Sequence, residues 1–584
     1  MKETMSEVSW KLGGQQGEGI ESSGDIVATA LNRLGYYLYG YRHFSSRIKG
    51  GHTNYNIRIS LTPISTISKQ LDMLIAFDQE TIDRNAHELK SQGIILADEK
   101  CNPRIKSGED IELCPVPFSQ IATSCGSSIM KNSVALGVTA ILLGVDLTAF
   151  SLVIQEVFSK KSKEVIDNNL SAFHAGAQFI HENANHLLGN YSLPKIEPVK
   201  RMFMMGNEAI ALGAMAAGAR FMAAYPITPA SEIMEYMIKK LPALGGAVIQ
   251  TEDEIAACTM AIGANYAGAR AFTATSGPGL SLMAEAIGLA GMTETPLVVV
   301  NTQRGGPSTG LPTKNEQSDV MTAIYHTHGD IPKVVLSPST VEEAFYDTIE
   351  AFNLAEEYQC PVIILTDLQL SLGKQTVDLF NYEKIEIRHG HLIEDRVLPR
   401  LNQGEYFKRF QVTKDGISPR VLPGTTNGMH LITGLEHDEM GKPTEEAGNR
   451  VVQMDKRFRK LSALGDSYHI PIYVNAPYEE AELLIIGMTS SRGAIEEAIT
   501  QLRAENRKVN HAQIRLLHPF PTKQLQPLYF AAGKVMVIEQ NATGQLAQLI
   551  KMNLSDDGRM INLLQYDGGI FHGPSIYEKC KEVL

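Results

Sequence analysis

Three stretches in the middle of the chain hold residue types that could meet a ligand. Tyr225-Pro226-Ile227-Thr228-Pro229 leads into Ala230–Lys240, where Thr228 suits a helix N-cap and Pro229 a first helical position. A helix N-terminus with a free hydroxyl is a ready site for a carboxylate; the plain alternative is a well-capped helix. Glu254 opens a helix that continues Ile-Ala-Ala-Cys-Thr-Met-Ala-Ile-Gly-Ala-Asn. Its small apolar surroundings would let a carboxylate face a packed interior, and the plain alternative is an acid satisfied by the helix terminus. Arg304 follows an apolar strand within Asn301–Lys314.

Other motifs have weaker claims. The loop Gly13-Gly-Gln-Gln-Gly17-Glu-Gly19 sits between a strand and a helix, as a dinucleotide fingerprint does. About 20 residues on, where a ribose-binding acid belongs, stands Leu38-Tyr-Gly-Tyr-Arg-His43. A tight turn or another phosphate ligand remains open for that loop. Gly306-Pro-Ser308-Thr-Gly310 spells a serine-hydrolase elbow, but Gln303–Gly306 separates it from the strand and Pro312 opposes a following helix. His326-Thr-His328 and His389-Gly-His391 lack a third ligand at useful spacing and read as surface histidines. No metal site is expected.

These residues need a scaffold. Alternating short apolar runs and helical stretches predict an α/β fold of three domains, each built on a mainly parallel sheet. The first spans 1–192, with strands near Val8–Leu12, Leu71–Phe77 and Gly93–Ala97 and a helix over Ile20–Leu34. The second, 200–380, has a helix over Met205–Ala219. Strands Ala247–Gln250, Ala271–Thr275, Pro296–Asn301 and Pro361–Thr366 follow, with helices over Asp253–Ala267 and Leu280–Gly291. A doubly wound parallel sheet puts ligands beyond the carboxyl ends of its strands, and all three candidate stretches fall at that edge. Residues 381–470 are polar and punctuated by Gly and Pro, which predicts an extended linker or wrapping segment. The last domain, 471–584, is a further small α/β unit.

Length and composition set the outer limits. The chain has 584 residues and a net charge of −12, so roughly three or four domains are expected. The acidic balance argues against a nucleic-acid binder. The six cysteines form no CxxC pair, which leaves iron–sulfur and zinc sites without support within this chain. No stretch is apolar for long enough to span a bilayer, and Met1–Leu12 lacks the core of a signal peptide. A cytoplasmic protein with no membrane partner is the expectation.

The stretches YPITP (225–229), TEDEIAA (251–257), TSGPG (275–279) and QRGGPSTGLPTKNEQ (303–317) resemble the α subunit of 2-oxoacid:ferredoxin oxidoreductases. GGQQGEG and SRIKGGH (46–52) resemble that family's γ domain, here fused in front as in 2-oxoglutarate oxidoreductases. LLIIGMTSSRGAIEEAI (483–499) with LHPFP (517–521) is similar to a transketolase C-terminal-type domain. The resemblance implies a γ-type domain, a pyrimidine-binding domain for thiamine diphosphate, and a transketolase-like domain. It implies oxidative decarboxylation of 2-oxoglutarate to succinyl-CoA, with coenzyme A as co-substrate and ferredoxin as electron acceptor.

By the same resemblance, Glu254 hydrogen-bonds the aminopyrimidine ring, and Tyr225, Pro226 and Ile227 line the cofactor site. Thr228 and Arg304 hold the substrate carboxylate, a task suited to the planar guanidinium fork. Lys314 reaches a second carboxylate, and Lys49 meets coenzyme A phosphate. The chain has neither the GDG motif that holds Mg2+ and diphosphate nor a cluster-binding cysteine set. A separate β subunit is therefore expected to carry Mg2+, the diphosphate site and a [4Fe–4S] cluster, in an (αβ)2 heterotetramer. Rival readings are a pyruvate or broad-specificity enzyme, a non-catalytic scaffold paralogue, and a nicotinamide-dependent dehydrogenase resting on the N-terminal loop.

Overall fold

The computed structural model describes residues 4–44, 51–105, 110–395, 397–402, 405–462, 464, 470–555 and 558–584. They form two compact units: Met1–Met205 with Leu372–Leu379 and His572–Pro574, and the remainder of the chain from Gly206.

The first unit is built on strands β1 (Glu7–Gln15), β2 (Tyr37–His43), β3 (His52–Ser60), β4 (Leu71–Ala76), β5 (Leu89–Asp98), β6 (Glu112–Val116) and β7 (Met202–Met205), with β14 (Lys374–Val377) as an eighth. Their order is β6-β5-β4-β1-β3-β2-β14-β7. From β6 to β1 the pairing is parallel, and from β1 outward it is antiparallel. Trp10 is buried in β1, where its indole nitrogen donates to Thr139 Oγ1 at 3.1 Å. The helices Lys131–Leu142 and Lys163–Asn183 approach so closely that a Cβ on Gly137 would stand 1.8 Å from the Phe173 carbonyl oxygen. β14 is held by Lys374 Nζ on Asp25 at 2.6 Å and by Thr376, which donates to Asn32 Oδ1 and accepts from the Leu38 amide.

β1 runs straight through Gly13 and Gly14, so the loop proper is the turn at 16–19, where Gly17 and Gly19 take positive φ. The helix Ile20–Arg33 follows. β2 does not pair with β1, because β3 lies between them and is antiparallel to both. A dinucleotide fingerprint needs two adjacent parallel strands around its helix, so this topology removes the nicotinamide reading. Lys49, expected at coenzyme A phosphate, lies outside the described residues.

The second unit contains two sheets. One uses β8 (Phe221–Ala224), β9 (Ala247–Gln250), β10 (Ala271–Thr275), β11 (Leu297–Gln303), β12 (Val334–Leu336) and β13 (Pro361–Asp367); the other β15 (Tyr473–Asn475), β16 (Ala481–Met488), β17 (Val509–Ile514), β19 (Ala532–Glu539) and β20 (Met560–Leu564). β18 (Leu516–His518) leaves its sequence neighbours and joins the first of these antiparallel to β12. The orders are β18-β12-β13-β11-β10-β8-β9 and β15-β17-β16-β19-β20. All pairs except those of β18 and β15 are parallel. β11 and β13 are buried along their whole length, as strands covered on both faces must be. Both sheets contribute to one apolar core, which joins Leu297 and Val299 with Leu484 and Ile486.

Two local expectations change. The stretch 280–291 is not one helix: helices Gly277–Leu282 and Ala284–Met292 meet at Met283. Residues 381–470 carry one long helix, Ala447–Arg459, and otherwise short irregular pieces joined by isolated bridges such as Leu392↔Arg420. This polar texture has a structural cause, since Arg409, Arg420, Lys456 and Lys460 are all buried within the second unit.

Candidate active site

Four adjacent parallel strands, β9, β8, β10 and β11, end at the same edge of the seven-stranded sheet. The four segments leaving them carry every candidate of the second unit: 251–254 after β9, 225–229 after β8, 275–279 after β10 and 303–317 after β11. The sheet geometry therefore gathers residues that lie far apart in sequence.

Glu254 is the first residue of the helix Glu254–Tyr266, which Asp253 caps by accepting from the Ala256 amide at 2.8 Å. Because the cap is its neighbour, the Glu254 carboxylate is not spent on the helix end. The residue is only 6% exposed, and among the described residues no donor bonds its carboxylate. It rests against Gly279: a Cβ there would stand 2.7 Å from Glu254 Oε1 and 2.0 Å from Thr275 Oγ1. The Thr275 hydroxyl is buried without a partner. A buried, unpaired carboxylate is costly unless something completes it.

Thr228 differs from its expectation. The helix begins at Ser231 with Ala230 in the cap position, so Thr228 lies too far upstream to cap it. Its hydroxyl is half-buried and has no partner among the described residues. Its carbonyl, instead, accepts from Arg304 Nη1 at 2.6 Å, while Arg304 Nη2 donates to the Thr309 carbonyl at 3.3 Å. Asn207, fully buried, donates to the Pro229 carbonyl at 2.7 Å and fixes the other end of the turn. Tyr225 is 39% exposed at the rim, and Pro226 and Ile227 are half-buried.

Arg304 is the residue immediately after β11 and is itself buried, with Nε unpaired. Burial presses its guanidinium below the ordinary value, and the Asp319 carboxylate pulls in the opposite direction. Asp319 accepts from Asn301 Nδ2 at 2.9 Å, and its amide donates to Gln303 Oε1 at 2.9 Å. Burial pushes the Asp319 carboxyl up, against the Asn301 bond and the Arg304 charge. Asn301 and Asp319 thus belong to the site, although neither was singled out from sequence. The polar Asn301 at the end of an apolar strand was the available signal.

The segment after Arg304 folds back on itself. Leu311 N donates to the Gly305 carbonyl at 2.8 Å, and Gly305 N to the Lys314 carbonyl at 3.1 Å. Gly310 is at φ +54°, and a Cβ there would stand 2.1 Å from the Gly305 carbonyl oxygen, so only glycine closes this tip. No helix follows Ser308, which removes the nucleophile-elbow reading. The backbone of Lys314 is therefore next to that of Gly305. Its side chain, however, leans on Gly568, where a Cβ would stand 2.8 Å from Lys314 Cβ. The structure brings Arg304 to Thr228 and places Glu254 on the same edge; it does not turn Lys314 toward Arg304.

The far end of the loop is tied down. Gln317 donates to Asp367 Oδ2 at 2.9 Å and to Thr489, and accepts from the Gln540 amide at 3.0 Å. Asn541 donates to the Gln317 carbonyl at 3.0 Å, and Asn315 accepts from the Gln369 amide at 2.8 Å. Ends of β13, β16 and β19 thereby clamp one segment. Among the described residues, no group of three or more His, Cys, Asp or Glu could hold a metal ion, and no helix is long and apolar enough to cross a membrane.

Fold and site define a multidomain α/β chain with a ligand edge assembled from four strand ends. Residues 212–456 match the family model for the thiamine diphosphate-binding domain of pyruvate flavodoxin/ferredoxin oxidoreductases, residues 9–179 the pyruvate ferredoxin/flavodoxin oxidoreductase model, and 481–574 its core domain II. A 2-oxoacid:ferredoxin oxidoreductase subunit alpha from Sulfolobus is 32% identical over 99% of this chain and 97% of its own. The 2-oxoglutarate oxidoreductase subunit KorA of Mycobacterium tuberculosis is 31% identical over 94% and 88%. A solved 2-oxoglutarate:ferredoxin oxidoreductase from Magnetococcus marinus, with 2-oxoglutarate, coenzyme A and succinyl-CoA bound, superposes with a TM-score of 0.92 at 36% identity, covering 99% of both chains. The chain is an oxidoreductase subunit, and it belongs to the α subunits of the 2-oxoacid:ferredoxin oxidoreductases.

Proposed function

We propose that this subunit supplies the pyrimidine half of a thiamine diphosphate site and the substrate pocket for oxidative decarboxylation of 2-oxoglutarate to succinyl-CoA. The observation that carries this reading is Glu254: a buried carboxylate without a protein donor, backed by a glycine, inside a segment matching a thiamine diphosphate-binding family. The donor set fits the cofactor, since a carboxylate on a mostly buried residue and free of protein donors is an acceptor for a protonated ring nitrogen. When bound, thiamine diphosphate provides the carbon nucleophile and electron sink for breaking the bond to the 2-oxoacid carboxylate.

This chain's residues position and orient. Glu254 holds a proton on the aminopyrimidine ring nitrogen. Thr228 offers its free hydroxyl, and Arg304 its unpaired Nε, to the substrate carboxylate. Asp319 keeps the guanidinium in place. Lys314 serves the distal carboxylate of a dicarboxylic substrate, after its side chain swings from Gly568. Tyr225, Pro226 and Ile227 pack against the cofactor ring.

The rest of the machinery resides on a β subunit, which carries Mg2+, the diphosphate site and a [4Fe–4S] cluster that passes electrons to ferredoxin. The apolar side chains around the site support a docking partner: Ile249, Ile255, Met260 and Leu282 are between 38% and 51% exposed. The complex is a cytoplasmic (αβ)2 heterotetramer, inactive as the isolated chain.

The test is anaerobic viologen reduction by the natively purified complex with coenzyme A and either 2-oxoglutarate or pyruvate. Strong turnover with 2-oxoglutarate alone supports the reading. Preference for pyruvate overturns the substrate, and silence with both, in a complex containing its cluster, overturns the catalytic role.

A further inference from the structure

Gln317 stands where the segment leaving β11 returns to the sheets, and it is fully buried. Every polar atom it owns is engaged. Its amide donates to the Gln540 carbonyl at 2.6 Å, and its carbonyl accepts from Asn541 Nδ2 at 3.0 Å. Its side-chain oxygen accepts from the Gln540 amide at 3.0 Å, and its Nε2 donates to Asp367 Oδ2 at 2.9 Å and to Thr489 Oγ1. A buried polar network with all of its groups paired specifies one arrangement and rigidifies it.

Asp367, the last residue of β13, is equally enclosed. Its Oδ2 also accepts from Thr489 Oγ1 at 2.6 Å, Ser490 Oγ at 2.7 Å and the Ser490 amide at 3.2 Å, and its Oδ1 from the Leu370 amide at 2.9 Å. A position surrounded by donors calls for a group that only accepts, which is what a carboxylate is. Asp367 is the register partner of Gln303, the last residue of β11. Gln303 accepts from the Asp319 amide at 2.9 Å and donates to the Thr366 carbonyl at 3.2 Å. One pair at the ends of two adjacent strands therefore holds both Gln317 and Asp319. The arm 304–316 between them is closed at its base.

We propose that Gln317 is a positioning residue for the 2-oxoacid site: anchored on Asp367, it sets the arm that bears Arg304 and Lys314. The inference rests on the substrate roles proposed above for those two residues. Gln317 itself touches no substrate and acts through its neighbours. Asp319, two residues on, carries the charge that faces Arg304, so a displaced Gln317 reaches the guanidinium. On the other side, the Asn315 amide donates to the Gly568 carbonyl at 3.3 Å and Asn315 Oδ1 accepts from the Gln369 amide at 2.8 Å. Lys314 is the next residue before Asn315, and its backbone follows that anchorage.

The test compares Gln317→Met with Ser490→Ala in the native complex. Each takes one donor from Asp367, but only the first frees the arm, so a cost to the fold alone would fall on both. Gln317→Met should raise KM for 2-oxoglutarate about tenfold, the scale of a small misplacement of binding groups, and leave KM for coenzyme A unchanged. Ser490→Ala should alter neither constant. Hydrogen–deuterium exchange across 304–316, read without turnover, should quicken in Gln317→Met and not in Ser490→Ala. Equal changes in both variants, or an unaltered KM for 2-oxoglutarate in Gln317→Met, overturn the proposal. Should Gln317→Met fail to fold, Asp367→Asn replaces it, because its NH2 must face the donors at one carboxylate oxygen or the other; unchanged exchange of the arm then overturns the anchorage. A parental complex inactive on 2-oxoacids overturns the substrate reading, and the exchange comparison still decides whether Gln317 holds the arm.

Discussion

Arg304 and Thr228, 76 positions apart, are joined by a 2.6 Å hydrogen bond from guanidinium to backbone carbonyl. The bond makes the strand-end loops after β8 and β11 a single object. Arg304 fixes the YPITP turn, and under the function proposed above it would also offer its Nε to the substrate carboxylate.

Arg304→Ala should raise KM for the 2-oxoacid by at least tenfold, because both the carboxylate contact and the turn are lost. Arg304→Lys restores charge without the fork and should recover only part. Steady-state kinetics of the complex reads both, and an unchanged KM assigns Arg304 to structure alone.

Glu254→Gln keeps the volume but removes the negative charge. Turnover is expected to drop by about 10²–10⁴, the range for a positioned proton-transfer partner, with the thermal unfolding of the chain unaltered. Near-parental kcat would remove Glu254 from catalysis.

Gly279→Ala tests the same carboxylate from behind. Its Cβ would meet Thr275 Oγ1 at 2.0 Å and Glu254 Oε1 at 2.7 Å. Overpacking of this kind costs about 1–3 kcal/mol, and the displaced Glu254 should lower kcat as much as its own replacement does. Full activity in Gly279→Ala would show that Glu254 tolerates displacement.

Lys314→Ala should lower kcat/KM for 2-oxoglutarate several-fold while sparing pyruvate, since only the dicarboxylate needs a second cation. Equal effects on both substrates would leave Lys314 with only its packing against Gly568.

Acid sensitivity follows from two histidines, the buried His511 and the half-buried His518. Burial lowers His511 and His518 from the usual 6.5 to about 4. Between those values the unfolded chain binds protons that the fold refuses, so stability should fall as pH drops from 6.5 toward 4. His511→Gln should flatten this slope by up to about 3 kcal/mol over the interval. Chemical denaturation at a series of pH values measures it, and an unaltered slope would exclude His511 as a contributor.

Much of the architecture is legible in sequence because parallel strands are short apolar runs and their helices follow at once. β10, β11 and β13 stand in the sequence as Ala271–Thr275, Pro296–Asn301 and Pro361–Thr366, close to the observed limits. That periodicity also placed the three candidate stretches at one sheet edge. It could not reveal the recruits from a distance. Lys374-Gln-Thr-Val377 is too short and too polar to announce a strand, and its partner strands are set by tertiary contact. Nor could it reveal Asp319, whose role depends on Asn301 across the sheet edge, or the burial of Arg409 and Lys456. Charges in a polar stretch look like surface until their counter-ions are seen. Thr228 was misread locally, because cap preferences describe a helix start but do not fix its register.

β14 has one further consequence, for the order in which the chain is made. It stands between β2 and β7, so the first unit's sheet stays unfinished until the ribosome has passed residue 377. At typical synthesis rates, roughly ten to thirty seconds separate the emergence of Met205 from that of Val377. Throughout that interval the flank of β2 offers unpaired backbone groups to any passing strand. The N-terminal unit is thus a domain in space but not in time: residues 206–371 must be made before its sheet can close.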